Sequence, residues 1–281
     1  MQNMKKIILV AFTILLLLSS CAREFNQVYR TPDYHYKYEY AKECFANGKY
    51  QRATTILQEV ITQLKGTTDA QESLYMLAMA EFCNRDYETA SETFKRYVKT
   101  YPRGVDAEMA SYYAGQSLYM CTPEPRLDQT ETVKAIAAFQ DYLDLYPDAQ
   151  MKEQAQSRLF ALQDKLVEKE LYSAQLYYNL GTYFGNCTEG GNNYEACIVT
   201  SENALKDYPY SSKREDFALL IMKSKYELAK QSVEEKRVER FQNAEDVAYG
   251  FINEYPDSKS RKLAEEYVNK CKKVTSTVVD E

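Results

Sequence analysis

Tryptophan is absent from this 281-residue chain, and histidine occurs once, at His35. One imidazole cannot build a multi-histidine metal site, and a Ser-His-Asp relay would rest on that single residue, so His35 is assigned to surface or packing. Seven cysteines are present, but none stands in CxxC or Cys/His spacing, which leaves no signature of metal or redox chemistry. Only nine glycines occur, and the one glycine-rich stretch, NCTEGGNN over Asn186 to Asn193, has neither GxGxxG nor P-loop spacing and reads as a loop. No cofactor and no metal are expected. A formal net charge of −6 and a pI near 5.2, with no basic block and no RNA-reading motif, argue against nucleic acid as the main partner. With no nucleophile-base pair, no metal cluster and no cofactor motif, the chain is not read as an enzyme.

What the chain has in quantity is tyrosine, 26 against 11 phenylalanines, within a 45% hydrophobic composition ample for a continuous core. Many of these rings must be packing positions with hydroxyls at the core edge. Others are left for a binding surface, because tyrosine offers large contact area with few rotors to freeze.

The tyrosines fall into a repeat. In VKAIAAFQDYLDLYPD, Val133 to Asp148, the small or apolar Ala135, Phe139 and Leu143 recur every fourth position, and Tyr146-Pro147 ends the segment. Proline lacks the amide a helix needs and restricts the residue before it, so this is a helix with a sharp stop. The spacing returns at Ala90, Phe94, Val98 and Tyr101-Pro102; at Cys197, Ser201, Leu205 and Tyr208-Pro209; and at Ala244, Ala248, Ile252 and Tyr255-Pro256. A fainter copy is Ala53, Leu57, Ile61 and Leu64, with Lys65-Gly66 in place of the proline. A partner helix precedes each, as Ala70 to Cys83 does across the turn Asn84-Arg85-Asp86, so the unit is a helical hairpin. Tyrosine after the turn (Tyr50, Tyr87, Tyr194) and proline at the end look like the tetratricopeptide pattern. Such hairpins cannot bury their apolar faces alone and must stack into a solenoid with a concave surface suited to other polypeptides. The expected fold is therefore all-α, a tetratricopeptide-like α-solenoid of about five hairpins with a C-terminal capping helix.

The ends and interruptions complete the plan. Lys5-Lys6, an apolar run from Ile7 to Leu18 too short to span a membrane, and Ser19-Ser20 form a secretory signal over residues 1–20. Leu18-Ser19-Ser20-Cys21 resembles the bacterial lipobox, which makes Cys21 the lipid attachment site, and Ala22 in place of aspartate favours the outer membrane. Loss of Lys5 and Lys6 with the leader takes the net charge two units below −6. Residues 21–32 are expected as a lipidated tether, 33–149 as N-terminal repeats, 150–272 as C-terminal repeats with the capping helix, and 273–281 as a disordered tail. The alternating Tyr34, Tyr36, Tyr38 and Tyr40 mimic a strand but run unbroken into AKECFANGKY, so they are assigned to helix. Pro123, Pro125 and Asp128 lie in an insertion at the third hairpin tip, read as a surface loop with a contact loop as the alternative. From about Met151 to Tyr183 a proline-free run is too long for one repeat helix and fuses the third repeat to the fourth. Cys44, Cys83 and Cys197 replace small apolar residues and should pack inside; Cys187 and Cys197 bracket a turn where a disulfide could form in an oxidising compartment.

From Tyr146-Pro147-Asp148 through Gln154-Ala155, Arg158-Leu159, Leu162, Leu166, Glu168, Glu170-Leu171-Tyr172 and Ala174 to Tyr177-Tyr178, the chain resembles the long central helix of the BamD (YfiO) family of outer-membrane assembly lipoproteins. The resemblance extends over the mature chain and is weakest in the first hairpin and the fourth turn. It implies a periplasm-facing subunit of the β-barrel assembly machinery. Its C-terminal repeats would bind a periplasmic domain of the core barrel subunit, and its N-terminal repeats would receive unfolded outer-membrane proteins. The alternative is a tetratricopeptide lipoprotein that scaffolds another cell-envelope complex. If the first helix of each hairpin lines the groove, Tyr38, Lys42, Phe45, Tyr75, Met79, Phe82 and Tyr113 are its candidates. An aromatic groove suits targeting segments that end in an aromatic residue, with a lysine meeting the terminal carboxylate.

Overall fold

The computed structural model describes residues 23–183 and 192–277. The leader, Cys21, Cys187 and the last four residues lie outside that range. Among the described residues every regular element is helical. Residues 23–30 form α1, followed by α2 (Tyr34–Ala46), α3 (Tyr50–Val60), α4 (Ala70–Cys83), α5 (Tyr87–Thr100), α6 (Ala107–Cys121) and α7 (Thr130–Leu145). Then come α8 (Lys152–Leu180), α9 (Asn193–Asp207), α10 (Arg214–Lys230), α11 (Glu234–Glu254) and α12 (Arg261–Thr277). The pairs α2/α3, α4/α5, α6/α7, α8/α9 and α10/α11 are the five hairpins expected, and α12 is the cap.

The Tyr-Pro stops work by one mechanism. Tyr101, Tyr208 and Tyr255 each leave the helix with φ −126° and ψ between 62° and 65°. Each still donates its own amide to the last turn, and the following proline bars it from the α region. The tyrosine carbonyl then accepts the N–H of the third residue on, Gly104, Ser211 or Ser258, and Tyr146 does the same for Ala149. That third residue in turn accepts from Ala107, Arg214, Arg261 and Lys152, where the next helix begins. The copy without a proline builds the same double turn, Thr67 to Leu64 at 3.0 Å and Ala70 to Thr67 at 3.4 Å.

The repeat positions fill the core. Ala53, Leu57, Ala90, Phe94, Ala135, Phe139, Cys197, Ser201, Ala244 and Ala248 are all buried, whereas the third position of each copy is half-buried. A further buried position lies four residues before the stop, occupied by Val60, Tyr97, Tyr142, Ala204 and Phe251. The chain forms two compact units. One runs through Pro123 and from Thr130 to Leu162; the other holds Glu124–Gln129 and everything from Gln163. The division falls inside the fused helix α8, later than the 149/150 boundary expected, because Ala155 and Leu162 still pack with α7 while Val167 and Ala174 pack with α9 and α10.

Two expectations are corrected. The segment expected as a tether is helical over 23–30 and anchors to the first core through Phe25 and buried Val28. The tail expected as disordered from residue 273 continues α12 to Thr277, with Val274 packed on the last core. The tip insertion is a built loop. Gln129, buried, donates from Nε2 to the carbonyls of Glu124 and Leu127, and Arg126 lies 4.6 Å from the centre of the Tyr172 ring on α8. The turn between α8 and α9 falls largely outside the described residues. Cys197, on α9, is a free thiol buried in the second unit.

Glu81, 1% exposed on α4, is the least comfortable core residue: Oε1 accepts from Gln58 at 3.4 Å, whereas Oε2 is without a partner. Burial pushes its pKa up, with a Thr93 hydrogen bond opposing. The folded chain therefore holds the Glu81 proton more tightly than the unfolded chain does, and this residue's contribution to stability falls as pH rises from the ordinary carboxylate range to its raised value. Glu81→Gln should remove that fall and leave the protein about 1 kcal/mol more stable than wild type at neutral pH. Urea midpoints of both proteins above and below the carboxylate range decide it; a variant destabilised at neutral pH would mean the carboxylate is satisfied.

Candidate binding surface

The first helices of hairpins two and three carry a run of rings. On α4, Tyr75, Met79 and Phe82 stand at i, i+4 and i+7, one face of the helix, and all three are half-buried against the second core of the first unit. Phe82 meets Tyr113 of α6 edge-on at 5.2 Å, Tyr113 stacks on Phe94 at 5.7 Å, and Phe94 meets Tyr75 edge-on at 5.9 Å. Tyr75 also meets Tyr97 at 5.6 Å, and Tyr87 closes the other end on Phe82 at 5.4 Å. Buried Phe94 and Tyr97 thus fix the rings whose other faces are open. Offset and edge-on pairs of this kind add roughly 1 kcal/mol each beyond area burial, so the surface is preorganised.

Burial, then the Asp106 charge, pushes the Tyr75 hydroxyl well above its usual range. It remains protonated and can donate. The surface therefore recognises by ring faces and hydroxyls and carries no phenolate.

The first hairpin has the same spacing, Tyr38, Lys42 and Phe45, but a different depth. Tyr38 is 0% exposed and belongs to the core that Val28 of α1 completes, so it leaves the groove set. Lys42 remains accessible at 35%, 4.9 Å above the Tyr38 ring and 2.7 Å from Glu39, whose carboxylate raises the ammonium's pKa. Its charge is thus already shared. Phe45 is half-buried, edge-on to Tyr50 at 5.6 Å. The structure therefore joins Tyr75, Phe82 and Tyr113 in one ring network with Met79 on the same helix face, and places Lys42 and Phe45 on the neighbouring helix.

The sequence offered Arg158 only as part of the family resemblance and did not pair it with Tyr119. Arg158 of α8 lies 4.6 Å from the centre of the Tyr119 ring on α6, and its charge also acts on Tyr112. A single arginine on a long helix carries no periodic signal that could have pointed to it. His35 is exposed, and no cluster of three metal-ligating side chains occurs among the described residues. Among those residues no helix is long and apolar enough to cross a membrane.

Residues 32–189 match the YfiO family, described as outer membrane lipoprotein. The outer membrane protein assembly factor BamD of Caulobacter vibrioides is 21% identical over 183 residues, 64% of this chain and 60% of that protein. The same-named factor of Rickettsia prowazekii is 22% identical over 129 residues, 46% of this chain and 51% of its own length. The chain thus spans between half and three fifths of these curated relatives. Among solved structures, the TPR2AB-domain:pHSP90-complex of yeast Sti1 is 13% identical, covering 85% of this chain and 98% of that one, with a TM-score of 0.39, too low to place residues of one on the other.

Proposed function

Since this chain belongs to the YfiO family, whose match spans more than half of it, we propose that it is an outer-membrane protein assembly factor, held to the membrane by lipid on Cys21. Several buried acyl chains hold a protein far more firmly than one, which is how a chain of water-facing hairpins stays at a membrane surface. In this reading the hairpins of the first unit receive unfolded barrel precursors and those of the second bind a periplasmic domain of the core barrel subunit. The observation that carries the client site is the preorganised ring surface of Tyr75, Phe82 and Tyr113. An extended segment with alternating apolar side chains and an aromatic end can lay those side chains on open ring faces.

The test is purification of the acylated protein from solubilised outer membrane with a photo-crosslinker at Tyr75 and, in a second protein, at Tyr249 of α11. A large barrel protein with periplasmic repeats should co-purify, and position 75 should crosslink to barrel precursors. Recovery of a different envelope complex, with no precursor at position 75, would replace this reading with a scaffold serving that complex.

A further inference from the structure

The second unit carries a cleft of its own. The tip insertion and the C-terminal half of α8 enclose a cleft of about 420 Å³ lined by Arg126, Lys169, Tyr172, Gln175, Leu176 and Asn179. Its loop side is fixed, because Gln129 ties the insertion together and the Arg126 guanidinium lies over the Tyr172 ring, 4.6 Å from its centre. A cation–ring contact of this kind leaves guanidinium N–H groups to donate. Neither Arg126 nor Lys169 has an acidic partner within ion-pair distance among the described residues, in a protein whose acidic side chains outnumber its cations 41 to 35. In the same lining Leu176 stands 57% exposed. Beside it Gln175 donates to Asn179 at 2.9 Å, leaving further amide donors and acceptors for a peptide backbone.

Two uncompensated cations around an uncovered leucine call for carboxylates and apolar side chains together. We propose that this cleft binds an acidic, apolar segment of a protein partner, its carboxylates on Arg126 and Lys169 and its apolar side chains on Leu176 and Tyr172. A polyanion without apolar groups would leave Leu176 in water. The site holds whichever envelope machine the chain serves.

The full chain in detergent is titrated with a labelled, end-blocked peptide of alternating glutamate and leucine, followed by fluorescence anisotropy. The glutamine-leucine counterpart should bind about tenfold more weakly, and added salt should narrow the difference. Reversing both charges, Arg126→Glu with Lys169→Glu, should lower the affinity for the acidic peptide about tenfold or more and create binding of a lysine-leucine peptide. Leu176→Ser, at an exposed position that leaves the Arg126–Tyr172 contact intact, should weaken the acidic peptide with an unchanged melting temperature. The proposal fails if the wild-type chain does not bind the acidic peptide, if the glutamate and glutamine peptides bind alike, or if the reversed variant still binds normally. It also fails if the reversal abolishes binding to phosphatidylglycerol vesicles but not to the peptide, since the cations would then serve a membrane.

Discussion

Phe139→Ala is expected to destabilise the first unit by about 3–5 kcal/mol, the range for emptying a fully buried aromatic site. Phe139 is 0% exposed, edge-on to Tyr112 at 6.0 Å, and its ring would stand 3.2 Å from a Cβ at Gly115. That glycine is what lets α6 approach the ring. It is also why the hole cannot collapse, since no side chain there can swing into it. Gly115→Ala should therefore be harmful in the wild type, where the ring must yield, and partly restorative beside Phe139→Ala, where it fills space. Urea unfolding of the two single variants and the double measures this coupling. If the two effects simply add, Gly115 and Phe139 do not share the space the structure gives them.

The second large effect concerns binding. On the proposed client surface, Phe82→Ala should weaken a synthetic peptide of alternating apolar residues ending in phenylalanine with a free carboxylate by about thirtyfold, or about 2 kcal/mol. Phe82 ties Tyr87 to Tyr113, so its loss removes both a contact and the neighbour that orients Tyr113. Phe82→Leu, which keeps apolar volume, should recover part of the affinity, and melting temperatures separate lost folding from lost recognition. Lys42→Gln should cost less than tenfold, because its ammonium is already engaged with Glu39 in an exposed pair. Unchanged affinity in Phe82→Ala would remove the ring surface from consideration as the client site.

The parts of the fold set by short-range physics were legible. Proline after tyrosine marks a helix end whatever surrounds it, and the four-residue period of Ala90-Phe94 or Ala135-Phe139 marks a buried stripe. The helix over residues 23–30 was not legible, because Phe25 and Val28 are its only core anchors and its order comes from packing on the first hairpin. The depth of Tyr38 follows from the same packing, so a spacing shared with Tyr75 gave no warning that one would be core and the other half-open. Likewise, nothing periodic joins Arg126 to Tyr172, which are brought together by the path of the insertion alone. Burial of Cys197 was legible from its repeat position, whereas the buried Ser201 and Ser224 that share its surroundings were not.

The helices of each hairpin pack on neighbours adjacent in the chain, and the short double turn between hairpins is held by hydrogen bonds three residues apart. Such a structure has low contact order. Most steps of folding need only the next segment of the chain, so the entropy of closing long loops is a small obstacle. Within each unit, order can therefore spread hairpin by hairpin from whichever forms first, and an early hairpin can begin to fold while later ones are still being delivered. On the proposed reading of an exported chain, that speed shortens the time it spends unfolded.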